Sequence, residues 1–358
     1  MKFLVIGDMH IGVAKDDPWQ EMIREKTMEK VISHAVENNI KNLVFMGDVF
    51  DDRTSLTHRS LEFNRKYIIE PIEKHDLHAI MIIGNHDAMH KNTLTPNAIE
   101  EVFGNRENFT VVDSIKTIEM GNTKVDFVSW MCTDNTYEIT SYIEKSEAKY
   151  CFGHFELVGF YYYSGIKATK GVDPQFLQKY NKVYSGHYHT INGHGNTFYL
   201  GTPFTITSND VNEERGIWEF DSNNMDNPTF IPNEKIWHRR FSYPMDVDIE
   251  TFDLDIEEFR GTRVVIDLND KEDKDFLKIE EKLEKIVDRL EIKNNYAINN
   301  ALNTSEKMDA EIKASGGPLE LGLERLDKDE SLSDLDKSEV KKIFTDLYLL
   351  SMSTMGDE

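Results

Sequence analysis

Five short runs of metal-ligating residues recur in a fixed order along this 358-residue chain. They are GDMH at Gly7–His10, GDVFD at Gly47–Asp51, GNHD at Gly84–Asp87, GH at Gly153–His154 and GHYH at Gly186–His189. Four of them directly follow an apolar, β-prone run, at Lys2–Ile6, Asn42–Met46, Ala79–Ile83 and Lys182–Ser185. In an open α/β sheet, groups carried just past the carboxyl ends of the strands meet in one crevice. The pattern therefore constrains the chain to a sheet whose strand ends gather carboxylate, amide and imidazole groups at one place. The glycines fit the same picture, because they let the backbone turn sharply after a strand.

No single run carries the argument. A Gly-Asp or Gly-His pair arises by chance in most long chains, and a lone histidine is usually an ordinary surface or core residue. Together the runs offer Asp8, His10, Asp48, Asn85, His154, His187 and His189. Seven ligands exceed the three or four of a mononuclear zinc site. They suit two divalent ions about 3.5–4 Å apart. Asp48 is the natural bridge, because a carboxylate has two oxygens and a charge to spread. His10 and His189 each lie two residues from another ligand, and in extended backbone that spacing points both side chains the same way. The mixed N/O set, with no thiolate, favours Mn²⁺, Fe²⁺ or Zn²⁺ over Ca²⁺ or a structural cysteine site. His86 lies between Asn85 and Asp87, where it can protonate a leaving oxygen or stabilise charge on a phosphate. The plainer alternative is a histidine that only orients a ligand. Asp87 is expected to accept a bond from an imidazole and fix its tautomer.

At these residues the chain resembles the calcineurin-like metallophosphoesterases and, among them, the SbcD-type recombination nucleases related to the meiotic recombination eleven nuclease. Further stretches carry the likeness: GNHDAMHKN at Gly84–Asn92, SWMCTDNT around Trp130, GHFELVGFYYY at Gly153–Tyr163, GHYHTINGHGNTFYLGTPFTIT at Gly186–Thr207 and IWHRRFSYP at Ile236–Pro244. It covers residues 1–245 well and the rest in outline. The resemblance implies an α/β fold: a two-layered β-sandwich flanked by helices, with a small α+β capping domain and a C-terminal helical tail. It implies two divalent ions, Mn²⁺ with Mg²⁺ as the alternative, and exonuclease and endonuclease action on single- and double-stranded DNA ends. It also implies a homodimer and an SMC-type ATPase partner of the SbcC kind. By motif, Asp8, His10 and His189 are assigned to one ion, Asn85, His154 and His187 to the other, and Asp48 to both, with His86 catalytic. One departure stands out. Many members carry a histidine three residues after the bridging aspartate, where this chain has Asp51. That histidine is linked to exonuclease action, so the balance between the two activities stays open, and Asp51 is expected behind the ligands beside Asp87.

Strand and helix alternate over the first hundred residues. Trp19–Asn39 reads as a helix with Met28, Val31, Ile32 and Ala35 on one face, and Thr57–Ile72 as another with Leu61, Phe63, Ile68 and Ile72, ended by Pro71. A short helix is expected near Pro96–Phe103. From Val111 to Phe220 strands dominate, at Lys124–Trp130, Tyr150–Phe152, Lys182–Ser185 and Thr197–Leu200. A mixed start followed by β-rich sequence fits a sandwich with helices outside it. The expected domains are 1–244 for the phosphoesterase core, 245–302 for a cap, 303–330 for a flexible linker and 331–358 for a terminal helix. In the cap, Arg263–Leu268 reads as a strand and Phe276–Leu290 as a helix. The linker expectation rests on SGGP at Ser315–Pro318 and rising charge. The last helix has a capping-box start at Ser333 and Asp336. Its apolar Val340, Ile343, Phe344 and Leu347 suit docking onto the ATPase partner or back onto the chain's own domain.

The net charge of −24 opposes simple nucleic-acid binding, which gains from cations that release counterions. Residues 245–358 hold 31 acidic and 16 basic residues, a net of −15, and residues 1–244 a net of −9. Weak DNA affinity is expected for the chain alone. Arg53, Lys91, Lys167, Lys170, Arg239 and Arg240 lie in or near the motif loops and can hold phosphates. The run Phe160–Tyr163 can stack on unpaired bases or form a buried strand edge. Cys132 and Cys151 make neither a disulfide framework nor a thiolate site. No run has the length of a membrane span, and a cytoplasmic location is expected. No GxxxxGK[ST] loop is present, so ATP hydrolysis would come from another chain. Two rivals remain beside a DNA nuclease: a phosphatase or cyclic-nucleotide phosphodiesterase, and a scaffold that regulates an ATPase on DNA ends.

Overall fold

Alternation of period two in the first strand decides the layering. In β1 (Lys2–Ile6), Phe3 and Val5 enter one core while Leu4 and Ile6 enter another, and all four are fully buried. A strand covered on both faces reads this way. The computed structural model describes residues 1–163, 165–244, 246, 256–296, 318–328 and 334–354. After β1 come α1 (Pro18–Glu37), β2 (Asn42–Phe45), α2 (His58–Phe63), a π-turn over Asn64–Ile69, α3 (Glu70–Lys74) and β3 (His78–Ile82). Next are α4 (Ala98–Phe103), β4 (Phe109–Val112), β5 (Ile115–Met120), β6 (Thr123–Val128), α5 (Thr136–Lys145) and β7 (Tyr150–His154). A small hairpin, β8 (Tyr161–Tyr163) and β9 (Ile166–Lys167), precedes β10 (Lys182–Gly186), β11 (Asn192–His194), β12 (Thr197–Tyr199), β13 (Gly216–Asp221) and β14 (Asn224–Pro232). The chain then forms β15 (His238–Tyr243), β16 (Arg263–Leu268), α6 (Lys274–Glu284), β17 (Arg289–Asn294), α7 (Pro318–Lys328) and α8 (Asp334–Thr354).

Two six-stranded sheets result, in the orders β14-β13-β1-β2-β3-β4 and β11-β12-β10-β7-β6-β5. Phe3, Val5, Val44, Ile80 and Ile82 from the first meet Val125, Phe127, Phe152, Tyr184 and Leu200 from the second in the central core. Helix α1 covers the outer face of the first sheet through Met28, Val31, Ile32 and Ala35. Helix α5 covers the second through Ile139 and Ile143. This is the sandwich flanked by helices that the sequence implies. Strands β1, β2 and β3 run parallel, as do β7 and β10. Their carboxyl ends therefore point one way, and Gly186 sits directly opposite His154 in the ladder.

Several elements differ from expectation. The helix begun at Thr57 does not stop at Pro71: it widens over Asn64–Ile69 and continues to Lys74, with Pro71 in the first turn of α3. Proline, with no N–H to donate, is tolerated there because the turn before it is widened, with Glu70 N bonding Arg65 O. Leu61 is exposed rather than part of the apolar face. The helix expected over Phe276–Leu290 ends at Glu284, and Leu290 belongs to β17. Past that end Ile286 O accepts from Gly261 N and Thr262 O from Asp288 N, so the backbone leaves the helix for other partners. Helix α7 occupies part of the expected linker; residues 303–317, 329–330 and Ser333 lie outside the described residues. The chain divides into two compact units, one of residues 1–240, 249–265 and 279–291, the other of 241–248, 266–278 and 292–358. In the second unit α7 lies on α8, where Phe344 covers Gly322 and Lys341 pairs with Asp327.

Candidate metal centre

All five motif loops leave the carboxyl ends of β1, β2, β3, β7 and β10, and they deliver their polar side chains to one place. One ligand atom each from Asp8, His10 and His189 falls within 4.8 Å of the others, and the same holds for Asp48, His154 and His187. Asn85 Oδ1 joins the second group, 3.0 Å from His154 Nε2 and 2.7 Å from His187 Nδ1. Asp48 reaches both groups: its Oδ2 lies 3.3 Å from His154 Nε2 and 3.9 Å from His10 Nε2. The structure thus brings together all seven residues singled out in the sequence.

The backbone is bent to achieve this. His10, Asp48 and His187 have φ of 45°, 47° and 84°, the left-handed region that non-glycine residues rarely occupy. Such conformations cluster at functional sites because the surroundings over-determine them. Gly47, at φ 97°, shows why no side chain is tolerated there: a Cβ would lie 2.6 Å from His154 Nδ1.

The donor set fits cations. His154 Nδ1 donates to Met46 O at 2.8 Å, which leaves Nε2 facing the oxygens of Asn85 and Asp48. His10 Nδ1 is likewise committed to Asp51 Oδ1 at 3.0 Å, and its Nε2 faces His189 Nε2 at 3.2 Å. Lone pairs converging in a buried space need positive charge between them. Among the described residues buried Asp8 Oδ1 has no hydrogen-bond partner, whereas its Oδ2 accepts from His187 N at 2.9 Å. Burial pushes the Asp8 carboxyl up to about 6. Burial also drives His187 and His189 down to about 3, helped by neighbouring His154 and His10 respectively, so both are neutral imidazoles ready to ligate. For His154 burial is outweighed by Asp48, and the ring is raised to about 9. For Asp48 burial is outweighed by His154, His10 and His86, and the carboxyl lies well below its usual range.

His86 stands half-buried at the edge of the cluster. Its backbone N–H donates to Asp48 Oδ1 at 2.6 Å, its Nδ1 to the Asp51 carbonyl at 2.6 Å, and its ring centre is 4.9 Å from that of His10. Asp87 departs from its expected role. It binds no imidazole: its two oxygens accept from Phe50 N at 3.0 Å and Gly84 N at 2.8 Å, locking the β2 and β3 loops together. That arrangement follows from the tight turn at Gly84, which points Asp87 inward beneath the loops. Burial, reinforced by Asp48, lifts its carboxyl to about 7. Asp51 is the carboxylate that orients an imidazole.

The cationic candidates separate. Arg53 lies over the Trp130 ring at 5.3 Å and reaches Ala88 O, on the loop that follows His86. Lys91 is exposed on the same loop. Arg239 is engaged by Glu258 at 3.0 Å and lies over Phe259, while Arg240 is fixed through its backbone to Asn212; both are on β15, not on a ligand loop. Sequence reasoning missed Arg24. Buried within α1, it donates from Nε to Met9 O at 2.8 Å and from Nη2 to His10 O at 2.7 Å, bracing the first ligand loop. A charged residue one turn before Met28, on the apolar face of that helix, was the available signal.

Comparison with known proteins agrees with this centre. The profile of the calcineurin-like phosphoesterases matches residues 1–191. Exonuclease subunit 1 of Enterobacteria phage T4 is 35% identical over 349 residues, covering 98% of this chain and 99% of that protein. Among solved structures, a dimetal phosphatase from Danio rerio is 8% identical with a TM-score of 0.38, covering 61% of this chain and 91% of that one. GAP50 of Plasmodium is 11% identical with a TM-score of 0.40, covering 66% and 90%. Scores this low carry no functional argument; the profile and the near-full-length relative do, and the chain belongs to the calcineurin-like phosphoesterase family.

Proposed function

We propose that the chain is the nuclease subunit of a DNA-processing complex, hydrolysing phosphodiester bonds with two divalent ions, Mn²⁺ or Mg²⁺. The observation that carries this reading is the convergence of lone pairs at two adjoining centres bridged by Asp48. It occurs in a chain 35% identical along nearly its whole length to an exonuclease subunit. Asp8, His10, Asp48 and His189 would hold one ion, and Asp48, Asn85, His154 and His187 the other. Bound there, the ions would supply a nucleophile at neutral pH and neutralise the phosphate. The chain's own residues do the rest. Asp51 and Met46 fix the tautomers of His10 and His154. His86, steered through Nδ1 by the Asp51 carbonyl, delivers a proton from Nε2 to the leaving oxygen. The partner is an SMC-like ATPase that docks on the C-terminal helix, and the working assembly contains two copies of the nuclease chain.

Labelled single- and double-stranded DNA incubated with Mn²⁺ or Mg²⁺ tests the reading. His86→Ala should slow cleavage by about 100-fold or more, the range for loss of a positioned acid or base, and Asp8→Ala should slow it through loss of a metal ligand. Cleavage by both variants at the parent rate would overturn the assignment. Hydrolysis confined to small phosphoesters would favour a phosphatase instead.

A further inference from the structure

Beside the ligand cluster lies a cleft of about 340 Å³ that shares His187 and His189 with it and is walled by Glu156, Tyr162, Lys167, Lys170 and Tyr188. We propose that this cleft holds one unpaired nucleotide of the strand being cut, its base against Tyr162 and its phosphate between Lys167 and Lys170. The inference rests on the nuclease reading and adds to it a subsite for a single-stranded end.

Size and chemistry agree. The volume lies at the small end of ligand pockets, roughly 300–1,000 Å³. A duplex, whose major groove alone is about 12 Å wide, does not enter it. Lys167 and Lys170 are exposed, and neither forms an ion pair among the described residues. Lys167 Nζ lies 5.1 Å from the centre of the Tyr161 ring, which directs it without neutralising it. An aromatic path runs from the ligands into the cleft, with His187 and Tyr188 rings 5.0 Å apart and Tyr188 and Tyr162 6.3 Å apart. Every base has a π-face, so such a path accepts any sequence. Glu156 repels a second phosphate and offers an acceptor to the exocyclic amine of a base.

The wall is built to stay in place. The β8–β9 hairpin is closed at its base by Gly159 N to Ala168 O at 2.9 Å and Ala168 N to Phe160 O at 2.8 Å. Asn192, three residues after His189, clamps it to the ligand loop: its Oδ1 accepts from Tyr161 N at 3.2 Å and its Nδ2 donates to Tyr161 O at 2.8 Å. Tyr188 adds a bond from its hydroxyl to Leu157 O at 2.9 Å. Two independent ties therefore hold the cleft against the metal centre.

Fluorescence anisotropy of the full chain with a labelled single-stranded pentanucleotide, in Ca²⁺, provides the test, with a blunt duplex as the comparison. Lys167→Ala with Lys170→Ala should weaken pentanucleotide binding about tenfold and lower the slope of log Kd against log salt by about 0.7, the value for one single-strand phosphate contact. Tyr162→Ala should weaken it about tenfold through lost stacking, and Tyr162→Phe should restore it. Blunt-duplex affinity should change far less. Parent-like pentanucleotide binding by both alanine variants, or an equal loss on the blunt duplex, overturns the subsite. If the parent still cleaves DNA in that case, the nuclease reading survives; a parent that neither binds nor cuts DNA sinks both.

Discussion

Asp51 serves two histidines at once, through different atoms. Its Oδ1 accepts from His10 Nδ1 at 3.0 Å, and its backbone carbonyl accepts from His86 Nδ1 at 2.6 Å. Only the first contact depends on the side chain. Asp51→Ala should therefore lower Mn²⁺ affinity by about 10–100-fold, the usual cost of losing a group that orients a ligating imidazole. Asp51→Asn, which keeps an acceptor, should recover most of it, as read by isothermal titration. Unchanged affinity in the alanine variant would show that His10 is held by other means. The seven ligands were legible because each follows a strand, and strand ends in a parallel sheet share a rim. Which carboxylate faces which ring was not. Asp48 sits at φ 47° and turns the chain so that Asp51 rises beside His10, whereas Asp87 drops onto Phe50 N and Gly84 N. Neither direction is encoded by spacing alone.

At the scale of elements, legibility followed the strength of the period. Strands β1, β2, β3 and β10 and helix α1 combine a clear apolar rhythm with marked ends, and the structure places them within a few residues of expectation. Helix α5 was hidden inside a β-rich reading, because Thr136, Tyr137, Ile139 and Thr140 favour strands locally. Packing decided otherwise: Ile139 and Ile143, four residues apart, both bury against the second sheet. The C-terminal helix was expected to dock through Val340, Ile343, Phe344 and Leu347, on a partner or on the chain itself. Phe344 packs on Gly322 of α7, while Ile343 and Leu347 remain 55% and 60% exposed. The pair Ile343→Asp and Leu347→Asp should leave the unfolding free energy read by urea titration within about 0.5 kcal/mol of the parent, as exposed substitutions do. Capture of the proposed ATPase partner should fall by more than tenfold. Full capture by the doubly substituted chain would place the docking surface elsewhere.

For the molecule as a whole, charge and proposed substrate oppose one another. A net of −24 repels a polyanion, and the core segment 1–244 is itself at −9. At the site itself buried Asp8 and Asp87 both lie close enough to Asp48 to feel its charge. Divalent ions change the local sign, because a bound cation is the largest charge in its neighbourhood. The two ions of the proposed function would bring four positive charges to the cluster. DNA affinity should thus depend on metal before cleavage does. In EDTA at about 150 mM salt the isolated chain should bind a 20-nucleotide strand no better than the weak end of non-specific association, a Kd of roughly 10⁻⁴ M. Saturating Ca²⁺ should tighten binding at least tenfold, and Asp48→Ala should erase that gain while leaving the weak basal binding. The exposed lysines of the β8–β9 cleft cannot supply this response, since their charge does not vary with the ion. Anisotropy titrations with and without the cation decide the matter: equal affinity in both would mean that DNA is held away from the metal centre.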